Sequence, residues 1–178
     1  HIENTCTPVL ATVRKGVFKL AFSENAQKVG MPLIPCREAK HIWTQTRIIE
    51  DAVFGTDLTG ANIIVSGGLG MGSRENFKKL HTLADMLGAA VGASRAAVAA
   101  GYAGYAHQVG QTGVSVRPDI YIAFGISGAV QHLSGISGAK KIYAVNHDPK
   151  APIHEYADFS VIADCTSVLD KLIEKAGG

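Results

Sequence analysis

Residues 63–73 read Ile-Ile-Val-Ser-Gly-Gly-Leu-Gly-Met-Gly-Ser, an apolar run that passes directly into a glycine-rich turn. The run Ile63–Val65 predicts a buried strand. Ser73 is placed to cap a helix, and Gly88 is placed to end it. The apolar face of that helix is predicted to hold Phe77, Leu80, Ala84 and Leu87. A strand, a glycine turn and a helix in this order are typical of the opening unit of a parallel sheet.

The rest of the chain repeats this alternation of short apolar runs and helical spacing. Further strands are predicted at 89–93, 120–124, 141–145 and 159–163, with helices at 94–100, from the turn at 125–128 to about residue 133, and at the C-terminus. Ser167 is predicted to cap the last helix, with Asp170 in the capping-box position. Residues 101–119 are expected to form a long loop. The pattern predicts an α/β fold, a Rossmann-like parallel sheet flanked by helices.

The length of 178 residues fits a single domain, 1–178, with an extended N-terminal segment. In this segment Pro8–Val13 and Lys40–Ile49 are predicted to be extended lead-in strands. We therefore divide the chain into the lead-in 1–60 and a nucleotide-binding core 61–178. Because the sequence begins at His1 instead of Met, we expect it to be a piece of a longer protein.

Composition argues against several function classes. Seventeen basic and fifteen acidic residues give a net charge of +2 without a dense basic run, so no nucleic-acid partner is expected. The most apolar stretch, Gly88–Gly101, is short and contains Arg95, so no direct membrane insertion is expected. Cys6, Cys36 and Cys165 are scattered and predict reduced thiols rather than a metal site or disulfide framework.

Ligands of an open parallel sheet bind at the carboxyl ends of its strands, where two glycine-rich turns are predicted. Gly68-x-Gly70-x-Gly72 departs from the G-x-G-x-x-G spacing, and a tight turn without a ligand explains it about equally well. Gly125-x-Ser127-Gly128 is a second such turn. Two turns at one edge favour a ligand with phosphate or other polar groups.

Polar side chains follow the other strands at the same edge. Arg95 is the one charge in a run of small apolar residues, where burial without a partner would be costly, so a ligand is one explanation and a surface arginine is the other. His132 is more often structural than a ligand contact in such a position. Asn146, Asp148 and Asp164 are placed to bind ribose or adenine, or simply to form turns and caps. No catalytic constellation and no metal-ligand spacing is present in the sequence.

Several long segments together resemble the C-terminal FAD-binding domain of the electron-transfer flavoprotein alpha subunit. They are Val65–Phe77, Leu87–Val98, Gln108–Gly113, Tyr121–Leu133 and Ala144–Ile153, preceded by Thr12-Val13-Arg14. The resemblance covers nearly the whole chain. It implies FAD as the cofactor and an electron carrier without side-chain chemistry, taking electrons from flavin dehydrogenases such as acyl-CoA dehydrogenases to an acceptor. It further implies a heterodimer with a beta subunit, and a bacterial cytoplasm or mitochondrial matrix as the compartment.

The resemblance also assigns residues to parts of FAD. The flavin ring would be met by Ser94, Arg95, Gln111, Thr112 and His132, with the Thr112 hydroxyl at N5 and His132 on the O2 side. The ribityl chain and pyrophosphate would be lined by Gly125, Ser127, Gly128 and Gln131, and the adenosine end by Asn146 and Asp164. Gln108 belongs to the same motif and is counted with the cofactor-binding residues.

Leu69 departs from the pattern, because the resembling family has an arginine in this turn. Loss of a cation should destabilise reduced flavin, which is anionic in that family. If the contact is worth ~1.4 kcal/mol, the one-electron potential falls by roughly 60 mV. The resemblance also implies a further domain before this one, which we expect to lie outside the 178 residues.

Two other functions remain open from the residues. One is a flavin- or NAD-dependent oxidoreductase, for which His132 alone qualifies as an acid–base residue. The other is a nucleotide-binding module for AMP or NAD that has lost redox activity, with Leu69 as the mark of a weakened flavin site.

Overall fold

The structure is a computed structural model, and it describes residues 57–177. The predicted lead-in strands Pro8–Val13 and Lys40–Ile49 lie outside the described residues, as do Cys6 and Cys36. The division into a lead-in and a core therefore stays a prediction.

Five parallel strands form one sheet within the described part of the chain. They are β1 (Ile63–Gly67), β2 (Ala90–Ala93), β3 (Ile120–Phe124), β4 (Lys141–Asn146) and β5 (Phe159–Ile162). Their order is β2-β1-β3-β4-β5, and every neighbouring pair is parallel. The predicted α/β parallel sheet is confirmed. The strand order reverses between β1 and β3, which is where open sheets of this kind bind their ligands.

Helices cover both faces of the sheet. They are α1 (Arg74–Leu87), α2 (Arg95–Ala99), α3 (Val130–Ile136), α4 (Ile153–Tyr156) and α5 (Cys165–Gly177), with 3-10 turns at Leu69–Met71 and Tyr105–His107. One core cluster joins α1 and α5 to the sheet through residues such as Phe77 and Leu169. The other joins the opposite face to α3 and α4 through Leu133, Ile136 and Ile153. Since both faces are covered, the strands β1 to β4 can be largely apolar.

Helix α1 begins and ends where the sequence predicts. Ser73 Oγ accepts a hydrogen bond from the backbone N–H of Asn76 at 3.1 Å, and Gly88 ends the helix with φ of 60°. Leu87 was predicted to be buried, which is wrong: it is 38% exposed, because it lies in the last turn where the chain leaves for β2. Leu83 is buried on that face instead.

The predicted cap of α5 is also wrong. The helix begins at Cys165, and Asp164 Oδ1 accepts a hydrogen bond from the backbone N–H of Ser167 at 2.8 Å. Asp164 is therefore the capping side chain, because a carboxylate placed before the first turn reaches the free N–H groups there. Asp170 forms an ion pair with Lys79 of α1 at 2.8 Å instead.

Strand β5 lies at the edge of the described sheet and pairs with β4 alone. Its side chains Phe159 and Ile162 are 62% and 61% exposed. Phe159 makes an edge-on ring contact with Tyr143 of β4, with centroids 6.3 Å apart. This edge is the most exposed apolar part of the sheet.

No helix in residues 57–177 has the length and apolar character needed to cross a membrane. Within the same range no cluster of three or more His, Cys, Asp or Glu side chains could hold a metal ion. Cys165 is a buried free thiol whose Sγ lies 3.1 Å from the Gly70 carbonyl oxygen, and burial raises its pKa.

Candidate functional site

A cavity of about 430 Å³ opens at the carboxyl ends of β2 and β3. Its walls come from α2, from the loop after Gln108 and from the segment that leads into α3. The residues that line it are Ser94, Arg95, Ala96, Ala99, Val109, Gly110, Gln111, Thr112, Ile126, Ser127, Ala129, Gln131 and His132. Seven of the predicted site residues therefore share one cavity: Ser94, Arg95, Gln111, Thr112, Ser127, Gln131 and His132.

The first wall is the start of α2. Ser94 is buried, and its Oγ accepts a hydrogen bond from the backbone N–H of Ala97 at 3.2 Å, so it caps this helix. Arg95 is exposed, so its charge has no burial cost. Of the two explanations for Arg95, the structure bears out the surface arginine, and its place on the cavity wall keeps it a candidate contact.

The second wall is a loop that closes on itself. The backbone N–H of Val114 donates to the Gln108 carbonyl at 2.7 Å, and that of Gly113 donates to the Gly110 carbonyl at 3.0 Å. Gln108 Nε2 donates to Thr112 Oγ1 at 3.0 Å. Gln108 is buried behind the loop and does not line the cavity. It therefore acts on the site through Thr112.

Two further hydrogen bonds fix the tip of this loop. The Tyr105 hydroxyl donates to the Thr112 carbonyl at 2.7 Å. The backbone N–H of Gln111 donates to the Gln131 carbonyl at 2.7 Å, which ties the loop to α3. These hydrogen bonds therefore hold in place the segment that carries the side chains of Gln111 and Thr112.

The third wall carries His132, which is buried. Its Nε2 lies 3.0 Å from the Tyr121 hydroxyl. Its Nδ1 has no hydrogen-bonding partner among residues 57–177. Burial lowers the pKa of His132 to about 4, and the Val109 carbonyl opposes this shift only in part. The imidazole is therefore neutral at pH 7, with one nitrogen free to face a polar ligand group.

The two glycine turns pack against each other. The backbone N–H of Gly68 donates to the Phe124 carbonyl at 2.8 Å, and that of Gly70 donates to the Gly125 carbonyl at 3.0 Å. Gly125 has φ of 62°, and a Cβ on it would lie 2.7 Å from the Gly70 carbonyl carbon. These N–H groups are thus bound within the protein, and the turns hold β1 and β3 together at the switch point.

The remaining predicted site residues lie outside the cavity lining. Gly128 packs against Ile153, where a Cβ would come within 2.7 Å of the Ile153 Cα. Leu69 is 53% exposed in its 3-10 turn. The cavity therefore brings together the residues predicted for the flavin ring more completely than those predicted for the other end of FAD.

Asn146 and Asp164 follow β4 and β5 at the same sheet edge. Asn146 is buried, with its Nδ2 donating to the Ile126 carbonyl at 2.9 Å and its Oδ1 accepting from the Asp148 N–H at 3.0 Å. The Thr166 hydroxyl, together with the N–H and hydroxyl of Ser167, lowers the pKa of Asp164 to about 2. Asp164 is therefore ionised at neutral pH.

The apolar part of the cavity lining was not predicted from the sequence. Val109, Ile126, Ala96 and Ala99 supply an apolar surface, and Gly110 allows the loop to approach α3. The alanine run after Arg95 was the available signal, since small residues leave room beside a planar ligand.

The cavity suits a planar group with polar edges. Its volume lies within the range of ~300–1,000 Å³ that small-molecule sites occupy. The unpartnered Nδ1 of His132 and the Thr112 hydroxyl both belong to its wall. An unpaired buried nitrogen is unfavourable unless a ligand meets it. The residues present therefore fit the ring of a flavin.

Comparison with known proteins points to one family. A model described as "Electron transfer flavoprotein FAD-binding domain" matches residues 57–137, a range that includes every residue lining the cavity. A protein of Bacillus subtilis named "Electron transfer flavoprotein subunit alpha" is 51% identical over 98% of this chain and 54% of its own length. The protein of the same name from Syntrophomonas wolfei is 41% identical over 98% of this chain and 55% of its own.

A rice protein named "Electron transfer flavoprotein subunit alpha, mitochondrial" is 55% identical over 67% of this chain and 33% of its own length. The chain spans about half the length of the two bacterial relatives. The matched range, the parallel sheet and the lining of the cavity agree with the motifs found in the sequence. This chain belongs to the electron transfer flavoprotein alpha-subunit family.

Proposed function

We propose that this chain is the FAD-binding domain of an electron transfer flavoprotein alpha subunit, with the flavin ring held in the cavity between α2, the loop after Gln108 and α3. The observation that carries the proposal is the lining of that cavity. It combines an apolar surface with two polar groups. These are the buried Nδ1 of His132, which makes no hydrogen bond of normal geometry within residues 57–177, and the Thr112 hydroxyl, which is held by a hydrogen bond from Gln108. FAD, when bound, supplies the chemistry by accepting and releasing electrons.

The side chains of the chain bind and orient the ring. Ser94 and Arg95 meet it from α2, and the exposed guanidinium of Arg95 supplies positive charge at an edge where negative charge collects on reduction. Thr112 offers its hydroxyl from the loop, and Gln108 holds that hydroxyl in place. His132 faces the ring as a neutral imidazole, which can form a hydrogen bond without adding a charge.

The rest of FAD would follow the sheet edge. Ser127 and Gln131 lie on the cavity wall and are placed to meet the ribityl chain. Gly125 and Gly128 shape the turn, so that the pyrophosphate can pass close to backbone N–H groups. Asn146 and Asp164 stand further along this edge and would bind the adenosine end.

The role in the cell follows from the same assignment. The chain would carry electrons from flavin dehydrogenases, such as acyl-CoA dehydrogenases, to an acceptor, with no side chain acting as a catalyst. It would do so as a heterodimer with a beta subunit, in a bacterial cytoplasm or a mitochondrial matrix.

The proposal is tested by titrating the 178-residue chain with FAD, NAD and AMP in parallel. Saturable binding of one FAD per chain, seen as a change in flavin absorbance, is the expected result. Thr112→Val keeps the side-chain shape and removes the hydroxyl, so it should weaken FAD binding. The matched control is Thr82→Val, which makes the same change on the exposed side of α1.

Binding of NAD or AMP with no uptake of FAD would overturn the proposal in favour of a nucleotide-binding module. Turnover of a substrate that is lost in His132→Gln would point to an oxidoreductase instead. A test of the partner is size-exclusion chromatography of the chain together with a beta subunit, where one heterodimer peak is expected.

A further inference from the structure

Tyr121 is a fully buried polar residue in the middle of β3. Its side chain is 0% exposed and belongs to the core cluster between the sheet and α3. Burial raises the pKa of its phenol, so the hydroxyl keeps its proton at neutral pH. A buried hydroxyl proton needs an acceptor, because an unmade hydrogen bond at such a place costs stability.

The imidazole of His132 lies within hydrogen-bonding distance of this hydroxyl. The Tyr121 oxygen lies 3.0 Å from His132 Nε2. The Ser66 hydroxyl lies close enough to oppose the rise of the Tyr121 pKa, but it makes no hydrogen bond of normal geometry within residues 57–177. His132 Nε2 is therefore the acceptor of normal hydrogen-bond geometry that the described residues offer to the phenol proton.

This contact decides which nitrogen of His132 carries the proton. A neutral imidazole has one N–H donor and one lone-pair acceptor, and the bond made by one nitrogen sets the state of the other. If Nε2 accepts from Tyr121, Nδ1 must be the protonated nitrogen. Nδ1 belongs to a residue that is 6% exposed and lines the cavity. It makes no hydrogen bond of normal geometry within residues 57–177, although the Val109 carbonyl lies close enough to the imidazole to oppose the fall of its pKa.

We propose that Tyr121 is a positioning residue that fixes His132 as the Nδ1–H tautomer, so that the imidazole meets a bound ligand as a hydrogen-bond donor. Tyr121 itself does not line the cavity and acts only through His132. The site would thereby select a ligand edge that presents an acceptor, such as a ring carbonyl oxygen. The inference rests on the proposed function only for the identity of that ligand, because the tautomer belongs to the protein.

The tautomer can be measured directly. The 178-residue chain is labelled with ¹⁵N-histidine, and long-range ¹⁵N–¹H correlation spectra are recorded at pH 7, with the His132 signals assigned from their loss in His132→Gln. Protonated Nδ1 with unprotonated Nε2 is the expected pattern. Tyr121→Phe removes one hydroxyl while keeping the ring, and the Nδ1–H tautomer should no longer dominate. Tyr143→Phe, the same change on neighbouring β4, should leave the signals of His132 unchanged.

Protonation of Nε2 in the parent chain would overturn the proposal, and so would an unchanged Nδ1–H tautomer in Tyr121→Phe. The first of these outcomes does not depend on Tyr121→Phe, so a folding defect in that variant leaves the proposal open to refutation. Since neither spectrum requires FAD, failure of the cofactor assignment would be recognised separately, as absence of flavin binding. In the FAD-loaded chain, loss of one oriented donor should weaken FAD binding by about tenfold in Tyr121→Phe.

Discussion

A Cβ atom on Gly135 would lie 2.5 Å from the Cα of Gly110, so α3 and the loop that carries Gln111 and Thr112 are in backbone contact. An alanine at position 135 must push the loop away from the helix, because the atoms it meets belong to the backbone. We expect Gly135→Ala to lower the free energy of unfolding by about 1–3 kcal/mol, the usual cost of overpacking, and to weaken FAD binding. Urea unfolding and flavin titration measure the two effects.

The matched control is Gly104→Ala. Gly104 has φ of −74°, and nothing lies within 4 Å of the position that its Cβ would take. This variant should unfold and bind FAD as the parent does. Equal behaviour of the two alanine variants would show that the contact of Gly110 with Gly135 does not position the loop.

Gln108 is expected to influence the ligand through the Thr112 hydroxyl and not by contact. Gln108→Met keeps the length of the buried side chain and removes the hydrogen bond to Thr112, which should cost about 1 kcal/mol in FAD binding. In a double-mutant cycle, Gln108→Met should add little to the loss of FAD binding once Thr112→Val has removed the hydroxyl through which Gln108 acts. Fully additive losses in binding free energy would mean that Gln108 acts independently of Thr112.

Stability should decrease as the pH falls through the range in which unfolded histidine takes up a proton. The pKa of His132 is about 4 in the folded chain and 6.5 in its usual state, so the unfolded chain binds more protons between these values. The contribution of His132 is complete above pH 6.5 and is lost progressively down to pH 4, by roughly 3 kcal/mol in all. Urea unfolding across this range measures it, and His132→Gln should show a correspondingly flatter dependence. Parallel curves for the two proteins would contradict the assignment.

Leu69 is expected to make the bound flavin harder to reduce than in relatives with arginine at this position. It lies at the carboxyl end of β1 but outside the cavity lining and is 53% exposed, so an arginine there would act through partly screened charge. Leu69→Arg should therefore raise the one-electron potential of bound FAD by no more than about 60 mV. Leu69→Gln is the uncharged control. A potential unchanged in Leu69→Arg would show that Leu69 does not set it.

The sheet could be predicted from the sequence because each strand is a short apolar run between turn residues, as Ile63–Val65 and Ile120–Phe124 show. The motifs placed the residues predicted for the flavin ring at one sheet edge, and all five of them line the cavity: Ser94, Arg95, Gln111, Thr112 and His132. Contacts between distant segments could not be predicted. The close contact between Gly70 and Gly125 cannot be recognised in the sequence, because each glycine is also explained by its own turn.

The surroundings of three side chains could not be predicted from the sequence pattern. For Arg95 the sequence left a ligand contact and a surface arginine open, and the structure shows this side chain exposed at the start of the short helix α2. Ser167 was expected to cap α5, although Asp164 three residues earlier offers a stronger acceptor to the same N–H groups. Tyr121 was read only as an apolar strand residue, since its bond to His132 depends on how α3 packs on the sheet.

The exposed edge at β5 has a consequence for how the protein behaves in concentrated solution. The strand Phe159–Ile162 contains no charged residue or proline, and within residues 57–177 it pairs with β4 alone; exposed apolar edges of this kind can pair with another copy. The chain should therefore self-associate as its concentration rises, which light scattering would detect. Ile162→Lys should suppress this association without changing the cavity lining, to which Ile162 does not belong, and it would make the chain easier to handle in the NMR experiments on His132.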